Sequence, residues 1–151
     1  MMVDEEVSKY RSEVIEKFIN LETVINAIIS QHYFGKVRFD FLTEVLYDEY
    51  FSFGLKRRIL ERIVPDIDKE KLQGLCRLNI IRNYFAHCNQ EFFPGSSKPT
   101  KETKGFVLDP RNLKKPVDFK ALYSEFTAKE KEVTLYLFEL YKKRGGVAGE
   151  V

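Results

Sequence analysis

The sequence has little that would point to export, a membrane or a metal. Residues 1–6 lack a basic stretch followed by an apolar one, so we expect no secretory signal. No apolar run approaches the length of about 18 residues that a membrane span needs, and we expect no membrane partner. The two cysteines and two histidines do not form the CxxC or HExxH spacings of zinc sites. A glycine-rich phosphate loop is absent as well, so we expect neither a metal nor another cofactor.

The two cysteines indicate a reducing compartment. Cys76 and Cys88 fall on one predicted helix, where a rise of about 1.5 Å per residue separates them by about 18 Å. That separation is too large for a disulfide within one chain. We therefore expect a cytoplasmic protein.

Charge and aromatic content limit the kinds of partner. The 151 residues carry a formal net charge of only +2, which excludes the strongly basic surface of a general nucleic-acid coat protein. Any contact with RNA must therefore be a local site. Thirteen Phe and eight Tyr are typical of a helical protein that also packs against a partner.

Apolar residues recur at steps of three and four, which predicts an all-α antiparallel bundle of about five helices. The predicted helices cover about residues 3–33, 39–50, 55–64, 69–88 and 118–144. Gly35 and Pro65 are expected to end the first and third helices, and Asp118 to cap the last. Asp66 or Asp68 is expected to cap the fourth. A single domain is expected over residues 1–146, followed by a flexible tail at 147–151.

Residues 89–117 differ in kind from the rest of the chain. Four prolines and two glycines forbid a long helix there, and only residues 105–108 predict a short strand. A stretch of this length without a helix is usually functional or disordered. Its basic residues outnumber its acidic ones, and Lys98, Lys101 and Lys104 are candidate contacts to an RNA backbone.

The third predicted helix carries a second basic group of residues. It consists of Lys56, Arg57, Arg58 and Arg62. One interpretation is a contact to the RNA backbone. The interpretation that we favour is a solvated helix face that is partly paired with Glu61.

The fourth predicted helix is apolar over most of its circumference, which is typical of a buried helix. At about 100° per residue, six positions nevertheless fall within an arc of about 140°, and five of them are polar. They are Asn79, Arg82, Asn83, Ala86, His87 and Gln90. Buried polar groups without partners cost about 1–3 kcal/mol each, so this stripe needs partners. A symmetry mate, a phosphate or both would fit beside the small Ala86.

The segment from Arg82 to His87 resembles the Arg-X4–6-His signature of HEPN domains. Four residues separate Arg82 from His87, and Asn83 supplies the polar residue that often follows the Arg. The segment ends the penultimate long helix of the predicted bundle, and a loop follows it. The architecture is similar over about residues 3–144, whereas specific residues match only at 82–87.

The resemblance implies a function and an assembly. Many HEPN proteins are homodimers that place both motifs in a cleft between the subunits, and many are metal-independent endoribonucleases of defence, toxin–antitoxin or RNA-processing systems. On this basis Arg82 and His87 would be catalytic and Asn83 supporting, while Asn79, Gln90 and the lysines of 89–117 would contact RNA. HEPN toxins with a nucleotidyltransferase antitoxin often carry a Tyr at the position of Asn89, so modification by such an antitoxin is not implied.

The chemistry independently favours a dimer. Cleavage of RNA without a metal needs a base, an acid and stabilisation of charge at phosphorus. Imidazole, with a reference pKa of about 6.5, can serve as base or acid, and arginine forks onto phosphate oxygens. One motif supplies a single His, whereas a symmetric dimer supplies two copies of His87. We expect His32, the other histidine, to be a core or surface residue.

Two alternatives remain open from the sequence. The chain can be a non-catalytic HEPN module that binds a nucleotide, an RNA or a protein partner. It can also be a plain helical interaction protein, in which Arg82 pairs with an acidic residue of the first helix and His87 caps its own helix. The latter predicts that Arg82→Ala mainly alters stability.

Overall fold

The computed structural model describes residues 2–87, 106–109 and 112–145, and it confirms the all-α class. The long helices are α1 (Met2–Phe34), α3 (Phe53–Ile63), α4 (Lys69–His87) and α5 (Phe119–Lys143). The short α2 (Phe39–Phe41) continues into a π-helical turn at Leu42–Leu46. Strands β1 (Phe106–Asp109) and β2 (Asn112–Asp118) form an antiparallel hairpin before α5. None of the described helices is long and apolar enough to cross a membrane.

The core lies between α1, α4 and α5, each of which packs against the other two. The predicted apolar spacing of α1 corresponds to buried side chains at Val7, Val14, Phe18, Leu21, Ile25 and Ile28. Helix α5 contributes Phe119, Leu122, Phe126, Val133, Leu137 and Tyr141. Helices of this length that bury one face gain most of their stability from such packing.

The helix ends follow the predicted signals. Gly35 adopts a φ of +71°, and its N–H donates to the carbonyl of Gln31 at 2.8 Å, which closes α1. The Asp118 side chain accepts from two backbone N–H groups at the start of α5. Of the two candidate caps of α4, the structure selects Asp68, whose carboxylate accepts from the N–H of Glu70 at 2.9 Å.

The second helix was predicted to reach residue 50, and this was wrong. Regular helix ends at Leu46, and Tyr47 leaves the helical region with a φ of −90° and a ψ of 0°. The carboxylate of Asp48 then accepts from the N–H of Tyr50 at 2.9 Å. This local side-chain bond competes with the helix, and Val45 and Tyr50 are exposed instead of joining the core.

The stretch 89–117 was predicted to form at most one strand, and the structure contains two. Phe106 pairs with Asp118, and Leu108 pairs with Pro116. A proline usually argues against a strand, which is why β2 was not predicted. In a two-stranded hairpin both strands are edges, so the missing N–H of Pro116 can be accommodated.

Helix α4 is less buried than predicted. Its buried side chains form one stripe of Leu72, Leu75, Leu78, Ile81 and Phe85. Cys76, Ile80 and Tyr84 are only half-buried. The stripe faces α1 and α5, and the side chains on the opposite side of α4 are half-buried or exposed.

Candidate functional site

Arg82 lies in the contact between α4 and α1. Its Nη2 donates to Oδ1 of Asn79 at 2.8 Å, one turn earlier on α4. Its guanidinium carbon lies 4.7 Å from the ring centroid of Phe18 on α1, a cation–π contact. Nε is buried and has no hydrogen-bond partner among the described residues. The Nη2 group of Arg82 is therefore held in place, whereas its Nε lacks a hydrogen bond to a described residue.

Two effects act in opposite directions on the pKa of Arg82. Burial of the guanidinium lowers its pKa, and the nearby carboxylate of Glu22 partly raises it again. Arginine is effectively always protonated in proteins, so the group stays charged at neutral pH. Glu22 makes no ion pair with Arg82. The alternative in which Arg82 pairs with an acidic residue of the first helix is therefore not found, because Glu22 is near Arg82 but forms no ion pair with it.

His87 is the last residue of α4 and is exposed, as is Ala86 before it. Arg82 and His87 are about 140° apart around the helix axis. Arg82 therefore turns toward α1, whereas His87 lies on the side of α4 opposite to the buried stripe. Asn83 is half-buried between these two directions, and its side chain makes no hydrogen bond with a described residue.

His32 lies at the other end of the bundle. Its Nδ1 is 2.7 Å from Nη2 of Arg144, and its ring meets the edge of Tyr33. Arg11 touches the C-terminal end of α4, and from there to His32 the path along α1 is about 31 Å at about 1.5 Å per residue. His32 is an exposed surface residue. It cannot share a substrate atom with His87 of the same protomer.

Arg11 is a site neighbour that the sequence interpretation missed. Its Nε donates to the carbonyl oxygen of Phe85 at 2.7 Å, across 74 positions of sequence. The sequence does contain a signal for it, because Arg11 stands at helical spacing from Val7, Val14 and Phe18, which are buried. A charged residue at such a position must find a polar partner on a neighbouring helix.

The basic group on the third helix does not form the solvated face that we favoured. Lys56 is only 1% exposed, and its Nζ lies 2.6 Å from Oε1 of Glu22. Lys56 is buried because its spacing along α3 places it on the same face as the apolar Phe53 and Leu60. Glu61 pairs with Lys69 at 3.3 Å and with none of that group. Arg57, Arg58 and Arg62 remain half-buried or exposed.

Part of the predicted site lies outside the described residues. This applies to Gln90, Lys98, Lys101 and Lys104, and also to Cys88 and the tail at 147–151. Within the part of the chain that the structure describes, Asn79 uses its oxygen to hold Arg82. No group of three or more His, Cys, Asp or Glu residues comes together there in a way that could hold a metal ion.

Comparison with known proteins gives no relative from which the site could be interpreted. The interpretation therefore rests on the residues of this chain and on their geometry. No protein-family model, no curated protein and no solved structure matches it.

Proposed function

We propose that the chain is a HEPN-like, metal-independent endoribonuclease that acts as a homodimer. Arg82 and His87 of both subunits would lie in a cleft at the interface. The observation that supports this most strongly is the position of His32, about 31 Å along α1 from the end of α4. A protomer therefore offers one usable histidine to a reaction that moves two protons.

The reaction divides between the two copies of His87. One imidazole removes the proton from a ribose 2′-hydroxyl, whose oxygen then forms a bond to the adjacent phosphorus. The bond from phosphorus to the 5′-oxygen breaks, and the imidazolium of the other copy protonates that oxygen. The products are a 2′,3′-cyclic phosphate and a free 5′-hydroxyl. The exposure of His87 suits both roles, since the RNA must be able to reach each ring.

Arg82 would stabilise the negative charge that builds up at phosphorus. Its guanidinium is oriented in advance by Asn79 and by the ring of Phe18, so little side-chain freedom is lost on binding. Nε lacks a hydrogen-bond partner among the described residues, and a phosphate oxygen could supply one. Asn83, one residue later, would orient the phosphate or the imidazole.

The wider setting follows from the same proposal. The substrate would be RNA in the cytoplasm, and Gln90, Lys98, Lys101 and Lys104 would extend the cleft along its backbone. Defence, toxin–antitoxin and RNA-processing systems all use such an activity. In the second of these, an antitoxin protein would be a partner.

A second candidate is a HEPN-like module that binds a nucleotide or an RNA without cleaving it. The observation in its favour is that Arg82 is half-buried and uses its contacts within its own protomer. Such an arginine can fix the bundle or position a phosphate without taking part in a reaction. In this case His87 would not be needed for a chemical step.

The test is cleavage of end-labelled, structured RNA in excess EDTA. Parent protein is compared with Arg82→Ala and His87→Ala proteins whose helicity is verified, and His32→Ala is the matched histidine control. The ribonuclease predicts cleavage by the parent and by His32→Ala, and a loss of at least about 100-fold for the other two. Cleavage by all four proteins at equal rates would contradict the assignment of the site.

The binding module gives a different result in the same assay. No protein would cleave the RNA, yet the parent would bind it with a salt-dependent affinity that Arg82→Ala weakens. A parent that neither cleaves nor binds RNA contradicts both candidates.

A further inference from the structure

We propose that Arg11 is a second phosphate-binding arginine of this site and contacts the RNA backbone beside His87. The inference rests on the proposed RNA substrate. Its basis is the contact between Nε of Arg11 and the carbonyl oxygen of Phe85, two residues before His87. This contact places a second cation at the end of α4 that carries the exposed histidine.

The electrostatics of a helix end explain why a second cation is needed there. The C-terminal end of a helix carries about half a negative charge, because its last four carbonyls have no partner within the helix. Phe85 provides one of these carbonyls in α4. A phosphate that approaches His87 would be repelled by them. Arg11 satisfies one carbonyl and adds a full positive charge at the same point.

The geometry of arginine leaves the right donors for a phosphate. Nε of Arg11 is occupied by the Phe85 carbonyl, and the side chain forms no ion pair with a described residue. The two terminal nitrogens form no hydrogen bond to a described residue either. Together these two nitrogens form the outer edge of the guanidinium, which can bind two oxygens of one phosphate. Arg11 is half-buried, so this edge is not sealed inside the core.

Arg11 and Arg82 then have complementary positions. Arg82 contacts Phe18, and Arg11 lies two turns earlier on α1 and reaches the end of α4. Both arginines lie along the same α1–α4 contact, and Arg11 is about 10 Å from Phe18, the α1 partner of Arg82, along the helix axis. Arg82 would serve the reacting phosphate, and Arg11 a neighbouring phosphate of the same strand. Each subunit of the dimer would contribute one such pair.

Binding of a 2′-O-methylated RNA, which cannot be cleaved, tests this without turnover. Its affinity is measured by titration over a range of salt concentrations for the parent, Arg11→Gln, Arg11→Lys and Arg144→Gln. The glutamine at position 11 keeps a donor for the Phe85 carbonyl and removes the charge. Arg144 is the matched control, because it is also a half-buried arginine without an ion pair to a described residue, and it lies beside His32 at the other end of the bundle.

The proposal predicts that Arg11→Gln weakens binding about 10-fold or more at low salt. The slope of log affinity against log salt should become shallower by about 1.4, because each phosphate contact on a single strand contributes about 0.7 and both subunits lose one. Arg11→Lys should keep the parental slope but bind more weakly, because an ammonium group lacks the fork. Arg144→Gln should match the parent in both quantities.

The outcomes separate this proposal from the ribonuclease itself. Parental affinity and slope in Arg11→Gln overturn the role of Arg11, whether or not the parent cleaves ordinary RNA. Arg11-dependent binding by a parent that cleaves no RNA supports Arg11 and contradicts only the enzyme. If Arg11→Gln does not fold, Arg11→Lys decides, since parental affinity in that protein contradicts the two-point contact. A parent that binds no RNA overturns both proposals.

Discussion

The ammonium group of Lys56 lies 2.6 Å from a carboxylate oxygen of Glu22, in the contact between α3 and α1. The Lys56 side chain is 2% exposed and that of Glu22 is 26% exposed. The same carboxylate raises the pKa of Arg82 against the effect of burial. Glu22 thus acts on both a buried structural cation and the arginine of the candidate site.

Glu22→Gln should be strongly destabilising, because it leaves the buried ammonium of Lys56 without a counter-charge. We expect the free energy of unfolding to fall by about 3 kcal/mol, measured by urea denaturation. Lys56→Met should cost less, since Glu22 keeps access to water. The double variant should recover part of the loss caused by Glu22→Gln alone. Strictly additive losses would show that the two groups are not coupled.

Gly74 lies at a tight contact between α4 and α5. A Cβ at this position would lie 3.0 Å from Cγ2 of Val133, which is buried. Gly74→Ala should therefore lower the free energy of unfolding by about 1 kcal/mol, because crowding outweighs the better helix propensity of alanine. Gly54→Ala is the control, since its Cβ would meet nothing closer than 3.8 Å, and it should be stabilising by about 0.5 kcal/mol.

The crowding at Gly74 can be tested against its stated cause. In a Val133→Ala background the obstructing methyl groups are gone, and Gly74→Ala should become stabilising relative to Val133→Ala alone. Equal effects of Gly74→Ala in both backgrounds would exclude Val133 as the reason for the glycine.

Tyr123 on α5 should contribute a pH-dependent part of the stability. Its hydroxyl donates to the carboxylate of Glu13 on α1, and its ring stacks on Tyr10 at 4.1 Å between centroids. The bond to Glu13, and then burial, raise the pKa of Tyr123 above its ordinary value of 10.0. A phenol whose pKa is higher in the folded state stabilises that state below the unfolded pKa. This contribution is lost as the pH rises through the folded pKa.

Melting temperatures of the parent and Tyr123→Phe, measured from about pH 8 to about pH 11, test this sign. The parent should be more stable near pH 8, and the difference should shrink above about pH 10. A difference that stays constant over this range would show that the hydroxyl does not titrate in contact with Glu13.

The fold was predictable where local signals agreed with one another. The apolar spacing of α1, the stop at Gly35 and the cap at Asp118 each act within one or two turns of chain, and the structure confirms them. The prediction of the second helix failed at Tyr47, because the turn formed by Asp48 ends the helix although the apolar pattern continues to Tyr50. The second strand was not predicted, because a proline such as Pro116 is unfavourable inside larger sheets, although it is acceptable in a two-stranded hairpin.

The candidate site was predictable only in part. Helical spacing placed Arg82 and His87 on one stripe, but it could not tell which side of that stripe meets α1. Packing decides this, and it turns Arg82 toward Phe18 while His87 stays exposed. The partners of Arg11 and Lys56 lie 74 and 34 positions away, respectively. A local pattern can show that a charge stands on an apolar face, but it cannot name a partner at that distance.

The central claim is that one cleft uses the His87 of two protomers, and subunit mixing tests it most directly. Parent and His87→Ala proteins are mixed in varying ratios at constant total concentration, allowed to exchange subunits, and assayed for RNA cleavage in EDTA. If both histidines are required, activity follows the square of the parental fraction, and about a quarter remains in an equal mixture. A linear decline to about a half would show that each protomer acts alone, and it would contradict the shared cleft.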